Sequence, residues 1–175
     1  GIFLVIIGTM LWGISGTVAQ FLFQNKGFSP EWLVVIRLLS SGTILLLYGY
    51  ISSDNDIKII WKSKNNRINL FLFSILGMLG VQYTYFAAIS HGNAATATIL
   101  QYLSPVIITC YLIVKNRKLP TLKQMFAIIL AMVGTFFIIT RGNIHSLSLS
   151  KLALFWGISS AICSAIYTLQ PISLL

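Results

Sequence analysis

The sequence predicts an all-α polytopic membrane protein, and three observations lead there. Of 175 residues, 57% are apolar and only 9% are charged, against about 25% charged in soluble domains. The mean hydropathy is +0.87. The apolar residues are also gathered into runs of about 20, the length a helix needs to cross a hydrocarbon core. So few charges cannot cover a water-soluble domain of this size, which argues against an aqueous enzyme. Disorder requires a polar chain, and this one is not. Barrel strands are disfavoured because the runs are long, uniformly apolar and without period-two alternation.

The runs define six helices in order. The first extends from about Ile2 to Phe23 and is followed by the polar stretch Gln24 to Ser29. Pro30 suits the first turn of the second helix, where its missing N–H costs nothing, and that helix reaches about Ile51. The longest polar connection, Ser52 to Arg67, leads to a third helix over Ile68 to Ser90. His91-Gly92-Asn93 then makes a tight turn into a fourth helix, Ala94 to Val114, which Lys115 to Pro120 ends. The fifth covers Leu122 to Thr140, and a polar loop leads to the sixth, Leu152 to Leu175, which Pro171 kinks or ends. Short loops make successive helices antiparallel neighbours. Gly1 opens directly into an apolar run and Leu175 lies inside one, which reads as a piece of a longer chain.

The net charge of +9 would suit nucleic acid only as a basic face on a soluble fold. Here the basic residues sit mostly between apolar runs, so they report topology. Lys58, Lys62, Lys64, Arg67, Lys115, Arg117, Lys118 and Lys123 flank one side, and Lys26, Arg141 and Lys151 the other. Basic loops stay inside, which puts the N-terminus in the cytoplasm. Cys110 and Cys163 lie in apolar runs without metal-ligand spacing and read as small packing residues.

A short repeat is visible. Trp-Gly-Ile-Ser occurs at 12–15 and again at 156–159, one within the first helix and one near the start of the sixth. Five spans separate the two starts, and five is odd, so a second copy would be inserted upside down. Inverted repeats are how many secondary transporters build access from both sides.

Polar side chains inside the runs are the candidates for chemistry. On the first helix Thr9, Gly13, Gly16, Thr17 and Gln20 share a face. The glycines read as close-packing positions, whereas the amide of Gln20 needs a partner or water. Arg37 lies seven residues past Pro30, about 10 Å along the helix at 1.5 Å per residue. A charge at that depth is costly and points to function by default, with snorkelling to the headgroups as the alternative. Facing a cavity, it would favour an anionic or carboxylate-bearing solute.

The third helix carries Gly77 and Gly80 as packing positions, Gln82 too deep to be interfacial, and Tyr83 with Tyr85 toward the outer end, where an interfacial belt is the plain reading of the two tyrosines. On the fourth helix, Gln101 and Ser104 precede Pro105, which has no N–H to offer the carbonyl of Gln101; Pro105 is the expected hinge or kink. The fifth helix is nearly featureless, so it suits a lipid-facing or subunit-facing place, the latter as in a homodimer. The cavity set is therefore Gln20, Arg37, Gln82, Tyr83 and Gln101. Glu31, Asp54 and Asp56 are the only acids and sit at a helix end or in a loop. No paired carboxylates, nucleophile with buried histidine, metal-ligand cluster or phosphate loop lies in the spans, so neither catalysis, metal nor cofactor is expected.

The order of these features resembles the EamA-type transporters of the drug/metabolite transporter superfamily. The likeness rests on Leu11-Trp12-Gly13, Pro30 with Arg37, Tyr85-Phe86-Ala87-Ala88-Ile89, Ala94 to Leu100 leading to Pro105, and Gln124 with Gly134. It implies ten helices in two inverted five-helix repeats and a central cavity lined by helices one to four, with the fifth peripheral. Residues 1–140 would then be the first repeat, 141–151 an outer loop, and 152–175 the truncated start of the second. It further implies a non-enzymatic secondary transporter of a small organic solute, such as an amino acid, metabolite or drug, in a bacterial inner membrane. Its partners would be the solute, the bilayer and the missing C-terminal repeat, with no nucleic acid. A channel-like or non-transporting assembly subunit is the alternative. One departure stands out: Lys115-Asn116-Arg117-Lys118 occupies the place where such proteins usually carry Gly-Glu.

Overall fold

In the computed structural model, residues 1–51, 64–117, 119–140 and 150–170 are described, the side chains of 64–66, 116 and 138–140 excepted. Lys58, Lys62, Lys118, Arg141, the loop serines and Pro171 lie outside them. The described residues form helices and no strand. In chain order these are α1 (Ile2–Lys26), α2 (Pro30–Ile51), α3 (Lys64–Leu72), a π-helical segment (Phe73–Leu79), α4 (Gly80–His91), α5 (Ala94–Gln101), α6 (Ser104–Asn116), α7 (Leu122–Thr140) and α8 (Lys151–Leu169).

Five continuous helical stretches are long and apolar enough to span a bilayer: Ile2–Lys26, Pro30–Ile51, Arg67–His91, Ala94–Lys115 and Lys151–Leu169. The apolar part of α7 described with its side chains, Leu122–Phe137, is shorter. An all-α polytopic membrane architecture follows.

Local chemistry sets the ends. Helix α1 runs three residues further than its apolar pattern and stops at Gly27, whose φ of 67° is left-handed. The amide of Phe28 closes that turn on the carbonyl of Leu22 at 3.2 Å, a geometry that favours glycine at the turn. Helix α5 starts at Asn93, whose side chain accepts from the amide of Thr96 at 2.7 Å. Helix α8 starts at Ser150, which accepts from the amide of Ala153 at 3.0 Å. Each side chain satisfies one of the amides that a helix start leaves unpaired.

Two predicted continuous helices are interrupted. In the third, Phe73–Leu79 widens into a π segment where Phe73 stacks on Tyr167 of α8, ring centres 5.2 Å apart. An inserted π turn rotates everything after it relative to a regular helix. In the fourth, the helix breaks at Tyr102 and Leu103 and restarts at Ser104, leaving Pro105 in the first turn of α6. Proline is tolerated there because no intrahelical donor is needed.

The core sits around α4, which packs against α1, α2, α5 and α8. Tyr85, Phe86, Ala87, Ala88 and Ile89 are all buried, along with Ala19, Phe23, Val34 and Ala97 from its neighbours. Seven of the thirteen buried apolar residues are alanine. Lipid tails are as apolar as leucine, so transfer from water does not decide which faces meet; small residues that let backbones approach do. Large side chains such as Leu45, Leu46 and Leu47 point outward. Two expectations are corrected here. Tyr85 is buried in the core rather than placed in an interfacial belt, and Cys110 is exposed rather than packed. Cys163 does pack, with Sγ 3.2 Å from where a Cβ on Gly80 would stand.

Candidate functional site

Some polar side chains of the spans meet where α1, α2, α5 and α8 pack around α4, whereas others, Thr9, Thr17, Ser40 and Thr43 among them, donate to carbonyls of their own helix and are exposed. Arg37 of α2 is half-buried. Its Nη1 donates to the hydroxyl of Ser15 on α1, and its guanidinium lies over the ring of Phe86, 5.0 Å from the centre. A planar cation over an aromatic face is favourable, more so out of water. Among the described residues no carboxylate lies within ion-pair distance of Arg37, and its remaining nitrogens are open to the surroundings rather than sealed in. Beside it, the hydroxyl of Tyr85 meets that of Thr98 at 3.0 Å. Gly16 leaves room for this arrangement, since a Cβ there would stand 3.1 Å from the Tyr85 oxygen.

Gln20 has a different place. Its Oε1 accepts from the amide of Ala94 at 2.8 Å, at the first turn of α5. Its Nε2 donates to Oε1 of Gln24 at 3.2 Å, and Gln24 in turn donates to the carbonyl of Gly92 at 2.9 Å. The Ser150 hydroxyl donates to the carbonyl of His91 at 2.7 Å. The turn between α4 and α5 is thus held from both sides by side chains of α1 and of the residue preceding α8. The amide of Gln20 is paired with backbone and with Gln24, so its need for a partner is met within the protein.

Gln101, at the end of α5, donates to Ser160 of α8 at 3.1 Å. Tyr83 donates to Oε1 of Glu31 at 3.3 Å and meets the ring of Trp156 edge-on at 5.4 Å. Glu31 and Tyr83 border a groove of about 370 Å³ completed by Val34, Val35, Ile75, Leu79 and Gly80. Gln82 is half-buried and makes no side-chain hydrogen bond among the described residues. Four of the five candidates thus have separate surroundings: Arg37 and Gln20 lie along the α1 side, Tyr83 at the α2 groove and Gln101 against α8.

The glycines divide likewise. Beside Gly16, Gly77 stands where a Cβ would meet Phe73 at 3.2 Å and Tyr167 at 3.4 Å, and Gly80 abuts Cys163. Gly13 has nothing within 4 Å, so the packing expected of it is not made within these residues. A further position, Gly157, is the tightest: a Cβ there would fall 2.4 Å from Leu100 Cδ1 and 2.7 Å from its Cβ.

Ser15, Phe86, Ser160 and Glu31 belong to these contacts and were not in the predicted cavity set. Ser15 and Gly157 both lie in the repeated Trp-Gly-Ile-Ser, which was the available signal. Phe86 carried none, being one aromatic among eleven phenylalanines. No cluster of three or more metal-binding side chains occurs among the described residues.

The comparisons with known proteins agree with this picture. The model of the EamA-like transporter family matches residues 1–140. The chain is 41% identical over 171 residues to a protein of Salmonella typhimurium strain LT2 named uncharacterized inner membrane transporter YicL. The match covers 98% of this chain and 57% of that relative, so the chain spans little more than half its length. No solved structure matches the chain significantly. The apolar spans, the buried Tyr-Phe-Ala-Ala-Ile segment of α4 and the match over residues 1–140 together establish that the chain belongs to the EamA-like transporter family, within the drug/metabolite transporter superfamily.

Proposed function

We propose that the protein is a secondary transporter of a small organic solute, working by alternating access in a bacterial inner membrane, with its N-terminus in the cytoplasm. The observation that carries this reading is the family match over residues 1–140. The printed name of the Salmonella relative supports the membrane and the transport role. Residues 1–140 act as the first five-helix repeat and 152–175 as the start of a second, inverted one, joined through the loop at 141–151. The second Trp-Gly copy supports this division, because Gly157 brings α8 against α5 at a distance that no larger residue permits.

Solute would pass along the inner faces of α1, α2, α4 and α5, with Arg37, Tyr83, Gln82, Gln101 and Gln20 as its polar lining. The break at Tyr102–Leu103 and Pro105 supplies a joint in the fourth span. Helix α7 is peripheral, as its exposed face suggests, and is open to lipid or to a second subunit. The protein performs no bond chemistry in this reading.

The test is uptake. Full-length protein in sealed vesicles is given a defined metabolite mixture, and internal contents are read by mass spectrometry. Solute-specific accumulation that saturates and exceeds protein-free vesicles is expected. Non-saturating conductance would instead identify a channel, and equal contents with and without folded protein would leave an assembly subunit as the better reading.

A further inference from the structure

We propose that Arg37 is the binding point for an anionic group of the transported solute, above all a carboxylate; this rests on the transporter reading given above. Four observations converge on it. Arg37 sits about 10 Å into its span by helical rise, where an uncompensated charge is expensive. Among the described residues no carboxylate comes within ion-pair distance, and the one described acid, Glu31, is engaged with Tyr83 instead. Of the guanidinium's five N–H donors, one serves Ser15; the others have no acceptor among the described residues and are not sealed in. The guanidinium is also placed from two sides, by the Ser15 hydroxyl and by the Phe86 ring, whose centre is 5.0 Å from its central carbon.

A guanidinium so placed, with donors to spare, suits a planar two-oxygen acceptor, which takes two parallel hydrogen bonds. The ring of Phe86 borders this place, backed by the buried Tyr85 beside it in α4. There the ion pair forms at lower dielectric than in water and gains accordingly. A neutral amide analogue offers one acceptor and no charge, and an ammonium is repelled. The same anionic oxygens occur on a phospholipid headgroup, reached if the arginine extends toward the interface. The experiment separates the two sources.

Full-length protein is reconstituted in phosphatidylcholine vesicles and, separately, in vesicles containing phosphatidylglycerol. Each is given one mixture of aliphatic and aromatic monocarboxylates, their neutral amides and the matching primary amines. Accumulation of carboxylates over amides and amines is expected in both lipids. Arg37→Gln lowers it at least tenfold, and Arg37→Lys less, because lysine keeps the charge and loses the fork. Ser15→Ala, which leaves the charge in place, raises the KM for carboxylates with little change in maximal rate. That split keeps the proposal testable where Arg37→Gln fails to fold.

Carboxylate accumulation that survives Arg37→Gln, or amides and amines accumulated as well as carboxylates by the unsubstituted protein, overturns the inference alone. An Arg37→Gln defect confined to phosphatidylglycerol vesicles also overturns it, by assigning the guanidinium to a headgroup. So does an equal loss for every solute class with a lowered melting temperature, which would mean that the rest of the chain holds Arg37 as a structural ion. No accumulation of any class by folded protein overturns the transporter reading, and this inference with it.

Discussion

The two copies of Trp-Gly-Ile-Ser have the same four residues and opposite surroundings. At 156–159, Trp156 meets Tyr83 edge-on, and Gly157 lies so close to Leu100 that even a methyl group would overlap it. At 12–15, Trp12 is 52% exposed and Gly13 has nothing within 4 Å. The same local sequence has its Trp-Gly pair covered in one place and bare in the other, so packing here is decided by what a helix meets and not by its own residues. Ser15, the last residue of the bare copy, still finds Arg37, because α1 begins to be covered at that level: Gly16, Ala19 and Phe23 are buried and everything before Ser15 is exposed. Helix α2 behaves likewise, with Val34 buried near its start and Leu45 to Leu47 bare.

The largest effect belongs to the packed copy. Gly157→Leu is expected to leave no monodisperse full-length protein, since the overlap involves the Cβ of Leu100 as well as the end of its side chain. Gly157→Ala should destabilise by about 1–3 kcal/mol, the usual range for forced over-packing. Leu100→Ala should restore part of that in the double variant, as contacting residues do not add. Thermal melting of purified protein checks this, and a Gly157→Ala protein that melts with the unsubstituted one would remove the contact from the argument.

Next in size is the hydrogen bond one turn further along. Gln101→Leu takes away the partner that donates to fully buried Ser160 at 3.1 Å. A loss of about 1 kcal/mol is expected, at the upper end for bonds between membrane helices. Ser160→Ala made together with it should recover some of the loss, because no buried hydroxyl is then left without its donor. Chemical unfolding in mixed micelles reads both; a double variant weaker than either single one would contradict the pairing.

Smaller still is Gly16→Ala at the boundary between covered and bare α1. The added methyl meets only the hydroxyl tip of Tyr85, at 3.1 Å. A side-chain tip moves by a few tenths of an ångström more easily than backbone does, so less than about 1 kcal/mol is expected. Tyr85→Phe removes the obstructing oxygen and should abolish the penalty. Persistence of the penalty in the double variant would show that the helices, and not the hydroxyl, set the distance.

The spans were legible because each is an apolar run of membrane length punctuated by Gly, Pro or charge. The start of α2 at Pro30 and the interruption before Pro105 follow from proline alone. The π segment was not legible. It accompanies the stacking of Phe73 on Tyr167, residues 94 positions apart by number, and nothing in a single helix's periodicity announces that. The polar residues were visible as a set but not in their pairings. Gln20 reads as an unsatisfied amide until the start of α5 is brought to it, and Tyr85 reads as interfacial until Gly16 opens room for its hydroxyl. Glu31 finds Tyr83 across helices in addition to its local partner Ser29. Hydropathy reports depth in the membrane; it carries little about which face meets which, because lipid and protein interior are almost equally apolar.

The smallest effect is the one that tests the comparison most directly. In a protein of residues 1–175, Gly13→Ala should leave the melting temperature nearly unchanged, because the new methyl points into open space and surface changes of this kind stay within about 0.5 kcal/mol. Alanine is also the better helix former, so any change should be toward stability. In the full-length protein the expectation reverses if an inverted second repeat places its counterpart of α5 on Gly13, as α5 lies on Gly157. Gly13→Ala is then destabilising by about 1–3 kcal/mol, as at any over-packed contact. The difference between the two chain lengths measures the covering helix itself. Equal behaviour in both would leave the first copy facing lipid, and the identity of the two Trp-Gly-Ile-Ser segments would then have no structural meaning.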